Sequence, residues 1–393
     1  MQKVIKDVVI VGAKRTPMGS FMASLSSVPA TKLGSVAIAA AVESSGVKPE
    51  QVQECYMGNV SQAFQGQAPA RQAALGAGLS NTTPCTTVNK VCASGTKAIM
   101  QAAQNIMVGH ADCMVAGGME SMSNVPFAQP RQAEGYAQRV LHDLIVHDGL
   151  TDAYGKFHMG ICAENTNKVM GITREEQDAY AIGSYKKAQD AWESGKFDAE
   201  IAPVTIPGKR GKPDTIFAKD EEHVKANFDK FPNLRPAFDK AGSVTAANAS
   251  TLNDGAAAAV LCSTEFAEAN NLTPLAKIIS MSDAAGEPID FPIAPAKAVP
   301  IALDRAGLTK DDIAHWEVNE AFSAVAIANQ KLLDLDPSKV NPNGGAVSIG
   351  HPIGMSGARI VVTLAHNLKS GEYGCASICN GGGGASAIII QKL

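Results

Sequence analysis

Val88-Asn-Lys-Val-Cys-Ala-Ser-Gly-Thr-Lys97 is the stretch from which the fold of this chain is best predicted. Cys92 follows a segment that contains Val88 and Val91, and small residues after it begin a helix that we predict over Ser94–Val108. A short apolar strand follows at Cys113–Ala116, with Gly117-Gly118 directly after it. The stretch therefore predicts a strand, a helix and a second strand, with one reactive side chain at the start of the helix.

A second stretch, near the carboxyl terminus, repeats this order. Ser356-Gly357 opens a helix predicted over Ser356–Leu368, and Gly381-Gly382 follows an apolar strand predicted at Ala376–Cys379. His351 stands just before this helix, as the cysteine stands just before the first. The alternative is a coincidence of the kind that any α/β protein produces. We interpret the repeat as two similar halves.

The remaining pattern alternates short β-branched runs with Ala-rich stretches of helical length, which indicates an α/β protein with a largely parallel sheet. Between the halves, residues 120–245 are rich in Lys, Asp, Pro and Gly and are interpreted as an inserted loop domain. The predicted division is 1–119, 120–245, 246–272 and 273–393. Further predicted strands are Val8–Val11, Ala256–Leu261 and Trp316–Val318, and further predicted helices are Arg174–Ser194, Pro295–Ala306 and Ala321–Leu333.

Composition excludes several classes of protein. The 393 residues include 34 basic and 38 acidic side chains, so no general positive field attracts nucleic acid. The longest apolar runs, Val36–Val42 and Ala256–Cys262, are seven residues each. A membrane-spanning helix needs about 18 or more. We therefore expect neither a nucleic-acid partner nor a membrane partner.

Cysteine usage and the amino-terminal segment bear on the compartment. Eight cysteines without CxxC spacing in a chain this long indicate reduced thiols. Asp7-Val-Val-Ile-Val-Gly12 is interpreted as a buried first strand that leaves no room for a leader. We expect a cytoplasmic protein, with a processed mitochondrial form as the open alternative. Five cysteines are interpreted as buried and structural, namely Cys55, Cys85, Cys113, Cys262 and Cys375.

Four segments carry residues suited to chemistry. Cys92 precedes a helix, whose dipole favours a thiolate and whose amides can bind an oxyanion. His351 lies among five glycines in Asn343–Gly357 and is a candidate general base. Cys379 precedes four consecutive glycines, which admit a bulky ligand against the main chain. Asn319 follows a short strand and carries an amide that can hold a water.

Taken together, these segments resemble the thiolase family of acyl-CoA acyltransferases. They match its Cys-x-Ser-Gly, Asn-Glu-Ala-Phe, Gly-His-Pro-x-Gly and Cys-x-Gly-Gly-Gly segments, in that order along the chain. The acetoacetyl-CoA thiolases that form tetramers are the subgroup most similar in Phe157–Gly160, Thr245–Ser250 and Phe291-Pro292. The resemblance implies a thiolase fold, in which two similar βαβαβ-type halves form a layered α-β-α-β-α core with an inserted loop domain.

The resemblance also implies roles for the reactive residues. Cys92 is the nucleophile that becomes acylated, and His351 takes its proton. Cys379 moves the α-proton of the second acetyl-CoA. Asn319 orients a water that stabilises the enolate with His351, while the amides of Cys92 and Gly381 hold the thioester oxygen.

Ligand contacts and assembly follow from the same resemblance. Coenzyme A is expected as part of the substrate, with potassium as a bound ion and without a redox cofactor. The expected partners are small acyl-CoA molecules and, in a homotetramer built as a dimer of dimers, further copies of the chain. The implied coenzyme A contacts are His158, Met159, Tyr185, Ser250, Ala321 and Phe322, with Lys225 and Lys230 as candidates for its phosphates. The implied potassium ligands are Tyr185, Ala246, Ala247, Ala249 and Val347.

The predicted activity is acetyl-CoA C-acetyltransferase, the reversible joining of two acetyl-CoA into acetoacetyl-CoA, with 2-methylacetoacetyl-CoA as a further substrate. Phe291-Pro292 is interpreted as one wall of the acyl pocket, the alternative being that Phe291 merely packs its loop. A broader 3-ketoacyl-CoA thiolase of fatty-acid degradation is the main alternative. A decarboxylating ketoacyl synthase, a non-catalytic CoA carrier and a cysteine hydrolase are the others.

Overall fold

The computed structural model describes residues 5–131, 135–136, 138–208 and 211–393. The first residues of the amino-terminal segment lie outside these ranges. The helices are α1 Ala30–Ser45, α2 Pro69–Gly76, α3 Ser94–Met107, α4 Met159–Met170, α5 Arg174–Glu193, α6 Thr264–Ala269, α7 Pro295–Ala306, α8 Ser323–Leu333, α9 Ala346–Ile349 and α10 Ile353–Asn367. The strands are β1 Val8–Arg15, β2 Gly19–Ser20, β3 Glu54–Gly58, β4 Cys85–Val88, β5 Cys113–Ser121, β6 Phe127–Ala128, β7 His142–Asp143, β8 Val204–Ile206, β9 Thr215–Phe217, β10 Asn253–Ser263, β11 Ala276–Ala285, β12 Ile313–Val318, β13 Tyr373–Asn380 and β14 Gly384–Lys392.

The large sheet is mixed rather than largely parallel. Its order is β12-β13-β14-β11-β1-β10-β5-β3-β4, with β2 paired to β10. The parallel pairs are β12–β13, β3–β4 and β3–β5, and the other pairs are antiparallel. The prediction of a largely parallel sheet is therefore wrong. In the second half, β13 turns back into β14 through Gly382 and Gly383, both at positive φ, and such a tight turn makes antiparallel neighbours.

The layered arrangement of two halves is confirmed. Helices α3 and α10 pack together in the middle, with strands of the two halves on either side. Helices α1 and α2 cover the outer face of the first half, while α7 covers the outer face of the second. Thr96 Oγ1 on α3 donates to the Gly357 carbonyl on α10 at 2.9 Å. The starts of the two central helices therefore lie side by side.

Some predicted elements shift for identifiable reasons. Gly117 and Gly118 lie inside β5, where a Cβ would approach the Ala257 oxygen to 2.0 Å and the Gly354 oxygen to 2.1 Å respectively. Glycine is needed at both positions because backbone passes this close. The helix predicted from Ala321 starts at Ser323, because Phe322 is extended and bridges to Ala249.

The insertion contains α4, α5 and the two short ribbons β6–β7 and β8–β9, and it is joined to the core by buried ion pairs. Arg15 on β1 contacts Glu200 at 2.5 Å and Asp220 at 2.8 Å, and all three side chains are buried. Removing one partner of such a pair costs about 3–5 kcal/mol, since an unpaired charge remains buried. The exact domain boundaries given above remain a prediction. No helix in the described ranges is both long and apolar enough to span a bilayer.

Candidate active site

A cavity of about 340 Å³ opens between the insertion and the two central helices. Its walls are mostly apolar, and Cys92, His351 and Gly381 lie in its lining. Sequence separates these three positions widely, yet the fold brings them to one surface. The lining also includes His158, Met159, Ala249, Ser250, Phe291, Ala321 and Phe322.

Cys92 lies between β4 and α3, where Ala93 is the N-cap of the helix. The backbone N–H groups of Cys92 and Gly381 are directed at its sulfur. Burial nonetheless raises the pKa of the Cys92 thiol to about 11. The expectation of a favoured thiolate therefore does not hold here, because burial outweighs both the amides and the helix N-terminus. The resting form is a neutral thiol.

His351 is buried and is oriented by its own loop. Its Nδ1 lies 2.5 Å from the Ser356 hydroxyl, which in turn donates to the Pro352 carbonyl at 3.0 Å. A hydroxyl has one proton to donate, so it accepts from Nδ1–H and leaves Nε2 unprotonated. That Nε2 is buried and has no partner within the described residues. Burial, with a smaller contribution from Arg359, lowers the His351 pKa to about 3.

Cys379 is the second-to-last residue of β13 and is fully buried. Burial raises the pKa of its thiol well above the ordinary value, and the nearby thiols of Cys92 and Cys162 raise it further. Three sulfurs therefore lie close together. Cys162 on α4 was not singled out from the sequence, where it has no pattern of its own.

Asn319 is fully buried at the end of β12, and neither side-chain amide atom has a partner among the described residues. Its backbone N–H donates a hydrogen bond to the Ser377 carbonyl at 3.0 Å. The neighbouring Glu320 accepts from Tyr180, Ser184, Asn341 and Val347 N–H, which fixes this segment against α5 and the loop before His351. A rigidly held side-chain amide without a hydrogen-bond partner is a binding site for a water or a ligand oxygen.

The expected coenzyme A contacts divide into two groups. His158 caps α4 by accepting from Gly160 N–H at 3.0 Å and stacks on Phe238. A second groove shares Ala249, Ser250 and Phe238 with the first cavity and extends outward to Lys225, whose ammonium donates to Ser20. Lys230 is exposed and lines neither opening.

The residues named as potassium ligands converge in part. Tyr185, Ala247 and Val347 pack in one cluster. Burial, followed by the carboxylates of Glu222 and Glu320, raises the Tyr185 pKa, which indicates an electronegative setting. No group of three His, Cys, Asp or Glu side chains suited to a metal occurs in the ranges listed above.

Sequence reasoning also missed Ser356 and Glu120. Ser356 has a signal in the sequence, since it opens the helix that was predicted to follow the histidine. Glu120 is buried and accepts from Val60, Ser61 and Gly354 N–H, tying a loop of the first half to the start of α10. Burial raises the pKa of Glu120 to about 7.

A cysteine at a helix N-terminus, a neutral histidine and a second thiol beside an apolar cavity define an acyl-transferring α/β enzyme. Comparison with known protein families shows to which family of such enzymes the chain belongs. Residues 8–265 match the model of the thiolase N-terminal domain, and residues 272–392 match that of the thiolase C-terminal domain. The chain belongs to the thiolase family.

Similar proteins agree with this assignment. Mitochondrial acetyl-CoA acetyltransferase of Bos taurus is 64% identical over 390 residues, which cover 99% of this chain and 92% of that protein. The Homo sapiens protein of the same name is 63% identical, with 99% and 91% covered. A crystal structure of an Ascaris suum thiolase in complex with coenzyme A aligns with a TM-score of 0.95 at 48% identity, covering 99% of this chain and 100% of that one. A Bacillus anthracis acetyl-CoA acetyltransferase aligns with a TM-score of 0.95 at 41% identity, with both chains covered completely.

The predicted family, fold and acyltransferase activity are thereby confirmed, and the chain acts on acyl-CoA as an acetyl-CoA acetyltransferase. The expected cytoplasmic location is contradicted, because the Bos taurus and Homo sapiens relatives are mitochondrial proteins. The expectation failed because reduced thiols are not specific to the cytoplasm.

Proposed function

We propose that the acetyltransferase reaction runs through an acyl-enzyme on Cys92, with His351, Cys379, Asn319 and the Gly381 amide as the other catalytic groups. The observation that carries this proposal is the shared cavity, since Cys92, His351 and Gly381 line it together. Both reaction directions, condensation of two acetyl-CoA and thiolytic cleavage of acetoacetyl-CoA, use the same groups.

In the first half-reaction the Cys92 sulfur attacks the carbonyl of acetyl-CoA. Its proton passes to His351 Nε2, which the bond to Ser356 leaves unprotonated. The sulfur–carbon bond to coenzyme A breaks, and the departing thiolate takes the proton of Cys379, which leaves Cys379 as a thiolate and His351 protonated. The N–H groups of Cys92 and Gly381 then bind the thioester oxygen of the acetyl group.

In the second half-reaction Cys379 removes an α-proton from a second acetyl-CoA. The enolate carbon attacks the acetyl carbonyl, a carbon–carbon bond forms, and Cys92 leaves and regains its proton from His351 Nε2, while Cys379 keeps the α-proton and is again a thiol. The buried amide of Asn319 and His351 Nε2 both lack partners, so a water on the amide and the proton that Nε2 took from Cys92 can both donate hydrogen bonds to the enolate oxygen.

The pantetheine arm is assigned to the apolar cavity, and the phosphates to the outer groove at Lys225. His158, Met159, Ser250, Ala321 and Phe322 line the inner part. Lys230 is the weaker phosphate candidate because it lines neither opening.

A potassium ion at Tyr185, Ala246, Ala247, Ala249 and Val347 is a further part of the proposal. The cluster of Tyr185, Ala247 and Val347 supports it, because carbonyl and hydroxyl oxygens suit a hard cation. Such an ion would fix the segment that carries Ser250. Potassium should raise the melting temperature and lower the KM for coenzyme A relative to sodium at equal ionic strength.

We also propose a homotetramer. The ribbon β6–β7 and its surroundings expose several large apolar side chains, namely Phe127, Val140 and Leu141. Exposed apolar surface of this kind is typical of a contact between copies. Light scattering should give four times the chain mass, and an active monomer at micromolar concentration would contradict it.

The test of the proposed function pairs Cys92→Ala with Cys379→Ala. Cys92→Ala should lower both reactions by ~10³-fold or more and abolish covalent acetyl label from acetyl-CoA. Cys379→Ala should keep the label on Cys92 while condensation fails. Label that persists at another cysteine in Cys92→Ala, or loss of label in folded Cys379→Ala, would overturn the assignment.

A further inference from the structure

One buried amide side chain lies between the loop that carries His351 and the outer groove. Asn253 is the first residue of β10 and is fully buried. Its Oδ1 accepts a hydrogen bond from the His351 backbone N–H at 2.8 Å. Its Nδ2 donates to the Gly19 carbonyl at 3.0 Å and to Glu222 Oε1 at 3.3 Å. Asn253 therefore connects two parts of the site that lie on different segments of the chain.

The orientation of the Asn253 amide is fixed by its partners. A backbone N–H can only donate, whereas a carbonyl and a carboxylate can only accept. The amide oxygen must therefore face His351, and the amide nitrogen must face Gly19 and Glu222. The Thr251 hydroxyl donates to the same amide oxygen at 2.8 Å. All four hydrogen-bonding positions of the side chain are thus occupied.

On the catalytic side, the main chain packs directly against this amide. Gly350 has a φ of +108°, and a Cβ there would lie 2.6 Å from the Asn253 side-chain carbon Cγ. Ser356 contacts the ring of His351, whereas Asn253 contacts its backbone, so the two residues hold different ends of the histidine. A displacement of about 1 Å at a reacting group can slow a reaction by roughly 10²-fold. The backbone contact therefore matters for proton transfer.

On the other side, the amide supports the groove assigned above to the phosphates of coenzyme A. Glu222, Lys225 and Thr251 line this groove. The Lys225 ammonium lies 3.9 Å from Glu222 Oε1 and donates to Ser20, which is the β2 partner of Asn253 in the sheet. Glu222 therefore lies between the buried amide and the ammonium that faces the groove.

We propose that Asn253 is a positioning residue for both parts of the site. Its amide oxygen holds the His351 backbone in place for proton transfer, and its amide nitrogen holds Glu222 in the wall of the coenzyme A groove. Asn253 is not among the described residues that line the cavity or the groove, so it acts only through these neighbours. The inference rests on the proposed roles of His351 and Lys225.

Single-turnover acetylation of Cys92 over a range of acetyl-CoA concentrations separates the two roles. The maximal rate reports proton transfer, and the half-saturating concentration reports binding. Asn253→Asp keeps an oxygen that accepts from the His351 N–H, but it places a second carboxylate against Glu222. We expect a maximal rate within ~3-fold of the wild type and a half-saturating concentration raised by ~10–100-fold. Equal changes in both quantities would contradict the division of roles within the amide.

A second substitution tests whether the binding defect arises at Glu222. In Asn253→Asp with Glu222→Gln, the glutamine amide can donate to the new carboxylate. The double variant should therefore recover ~10-fold or more of the lost affinity for acetyl-CoA. If the affinity does not recover, the contact with Glu222 is not what supports the groove, and that part of the proposal is wrong.

Asn253→Leu removes both sets of hydrogen bonds while keeping a side chain of similar size. It should lower the maximal rate of acetylation by ~10–100-fold in addition to weakening binding. If this variant does not fold, Asn253→Ser takes its place, because its hydroxyl is one atom shorter than the amide oxygen that accepts from His351. An unchanged maximal rate in the folded variant would overturn the role assigned to the amide oxygen.

Two further variants identify the source of any effect. Asn167 is a buried asparagine on α4 that donates to Gln177 at 3.0 Å and lines neither opening. Asn167→Asp should lower the melting temperature but leave both kinetic quantities unchanged, and losses equal to those of Asn253→Leu would contradict a specific role for Asn253. His351→Ala should lower the maximal rate by ~10²-fold or more. A fast His351→Ala protein would overturn the proposed function itself, whereas a slow His351→Ala beside a fast Asn253→Leu would overturn only this inference.

Discussion

The Nδ1 atom of His351 lies 2.5 Å from the Oγ atom of Ser356, which is five residues further along the chain, in the first turn of α10. Because the same hydroxyl donates to the Pro352 carbonyl at 3.0 Å, its lone pair must face the ring. The contact therefore selects the tautomer in which Nε2 carries a lone pair toward the cavity. Ser356 is a positioning residue that acts through the histidine.

Ser356→Ala should slow acylation of Cys92 by ~10–100-fold with little change in the KM for coenzyme A, since the variant loses tautomer control but no substrate contact. Single-turnover acetylation by acetyl-CoA measures this step directly. The matched control is Thr363→Val, which removes another buried hydroxyl from α10 that bonds only weakly to Glu200 at 3.4 Å. Equal loss of acylation rate in both variants would assign Ser356 a purely structural role.

The two pKa shifts at the site predict how Cys92 responds to pH. Burial raises the pKa of the thiol to about 11 and lowers that of His351 to about 3, so no thiolate–imidazolium pair exists at pH 6–9. Alkylation of Cys92 by iodoacetamide should therefore increase about tenfold per pH unit between pH 6 and 9. Mass spectrometry of the Cys92 peptide measures the rate, and a plateau reached by pH 7 would contradict the neutral pair.

His351 also has a consequence for stability. Its folded-state pKa lies below the ordinary value of 6.5, so between pH 6.5 and about 3 the unfolded chain binds a proton that the native chain does not. The stabilising contribution is complete above pH 6.5 and is lost as the pH falls toward 3. The acid-side decline of the melting temperature should be shallower in His351→Asn than in the wild type. An unchanged slope would show that other groups dominate.

Gly118 should tolerate no side chain. A Cβ there would lie 2.1 Å from the Gly354 oxygen and 3.0 Å from the Met355 Cα, and both are backbone atoms that cannot rotate away. Gly118→Ala should therefore destabilise the protein by about 1–3 kcal/mol and lower activity by displacing the start of α10. Gly183→Ala is the control, because nothing lies within 4 Å of its Cβ position and alanine favours the helix. Thermal unfolding should separate the two variants, and equal melting temperatures would contradict the clash.

Patterns local in sequence gave good predictions. The helix at Pro295–Ala306 has the predicted bounds, and the helix predicted over Arg174–Ser194 starts at Arg174, where Thr173 forms a capping box. Cys92 and His351 were predictable as neighbours because the repeat places each before a central helix. Strand direction was not predictable, since it depends on how β14 and β10 return beside earlier strands rather than on any residue within them.

Features that depend on packing were also out of reach. The neutral state of Cys92 follows from burial, which the helix N-terminus alone does not reveal. Cys85 was interpreted as a buried cysteine, yet it is only half-buried because β4 is an edge strand of the sheet. The sequence of β4 does not show that it lies at an edge. The sequence does not show that Glu120 is buried, because the backbone N–H groups that donate hydrogen bonds to it come from segments distant in sequence.

The last prediction concerns the size of the acyl group, and it starts from Phe291. This ring is 2% exposed, lines the cavity and lies in a short 3₁₀ turn, Pro288–Ile293, with prolines at both 288 and 292. The prolines restrict the backbone of the turn, and burial restricts the Phe291 side chain, so the ring is a fixed wall for a longer chain. Phe291 therefore both packs its loop and forms part of the pocket wall.

2-Methylacetoacetyl-CoA should be cleaved at a rate comparable to acetoacetyl-CoA, while 3-ketohexanoyl-CoA should be disfavoured. Each added carbon that the wall refuses is worth ~1–3 kcal/mol, which corresponds to roughly 10–200-fold in kcat/KM. Phe291→Ala should relax this discrimination toward the longer substrate, whereas Phe266→Leu, which changes an aromatic ring on α6 away from the cavity, should not. Comparing kcat/KM for the three substrates in potassium buffer gives the answer for each protein. A fixed wall at Phe291 is incompatible with a preference for the longer substrate. A wild-type preference for 3-ketohexanoyl-CoA would therefore contradict this prediction and support the broad 3-ketoacyl-CoA thiolase alternative.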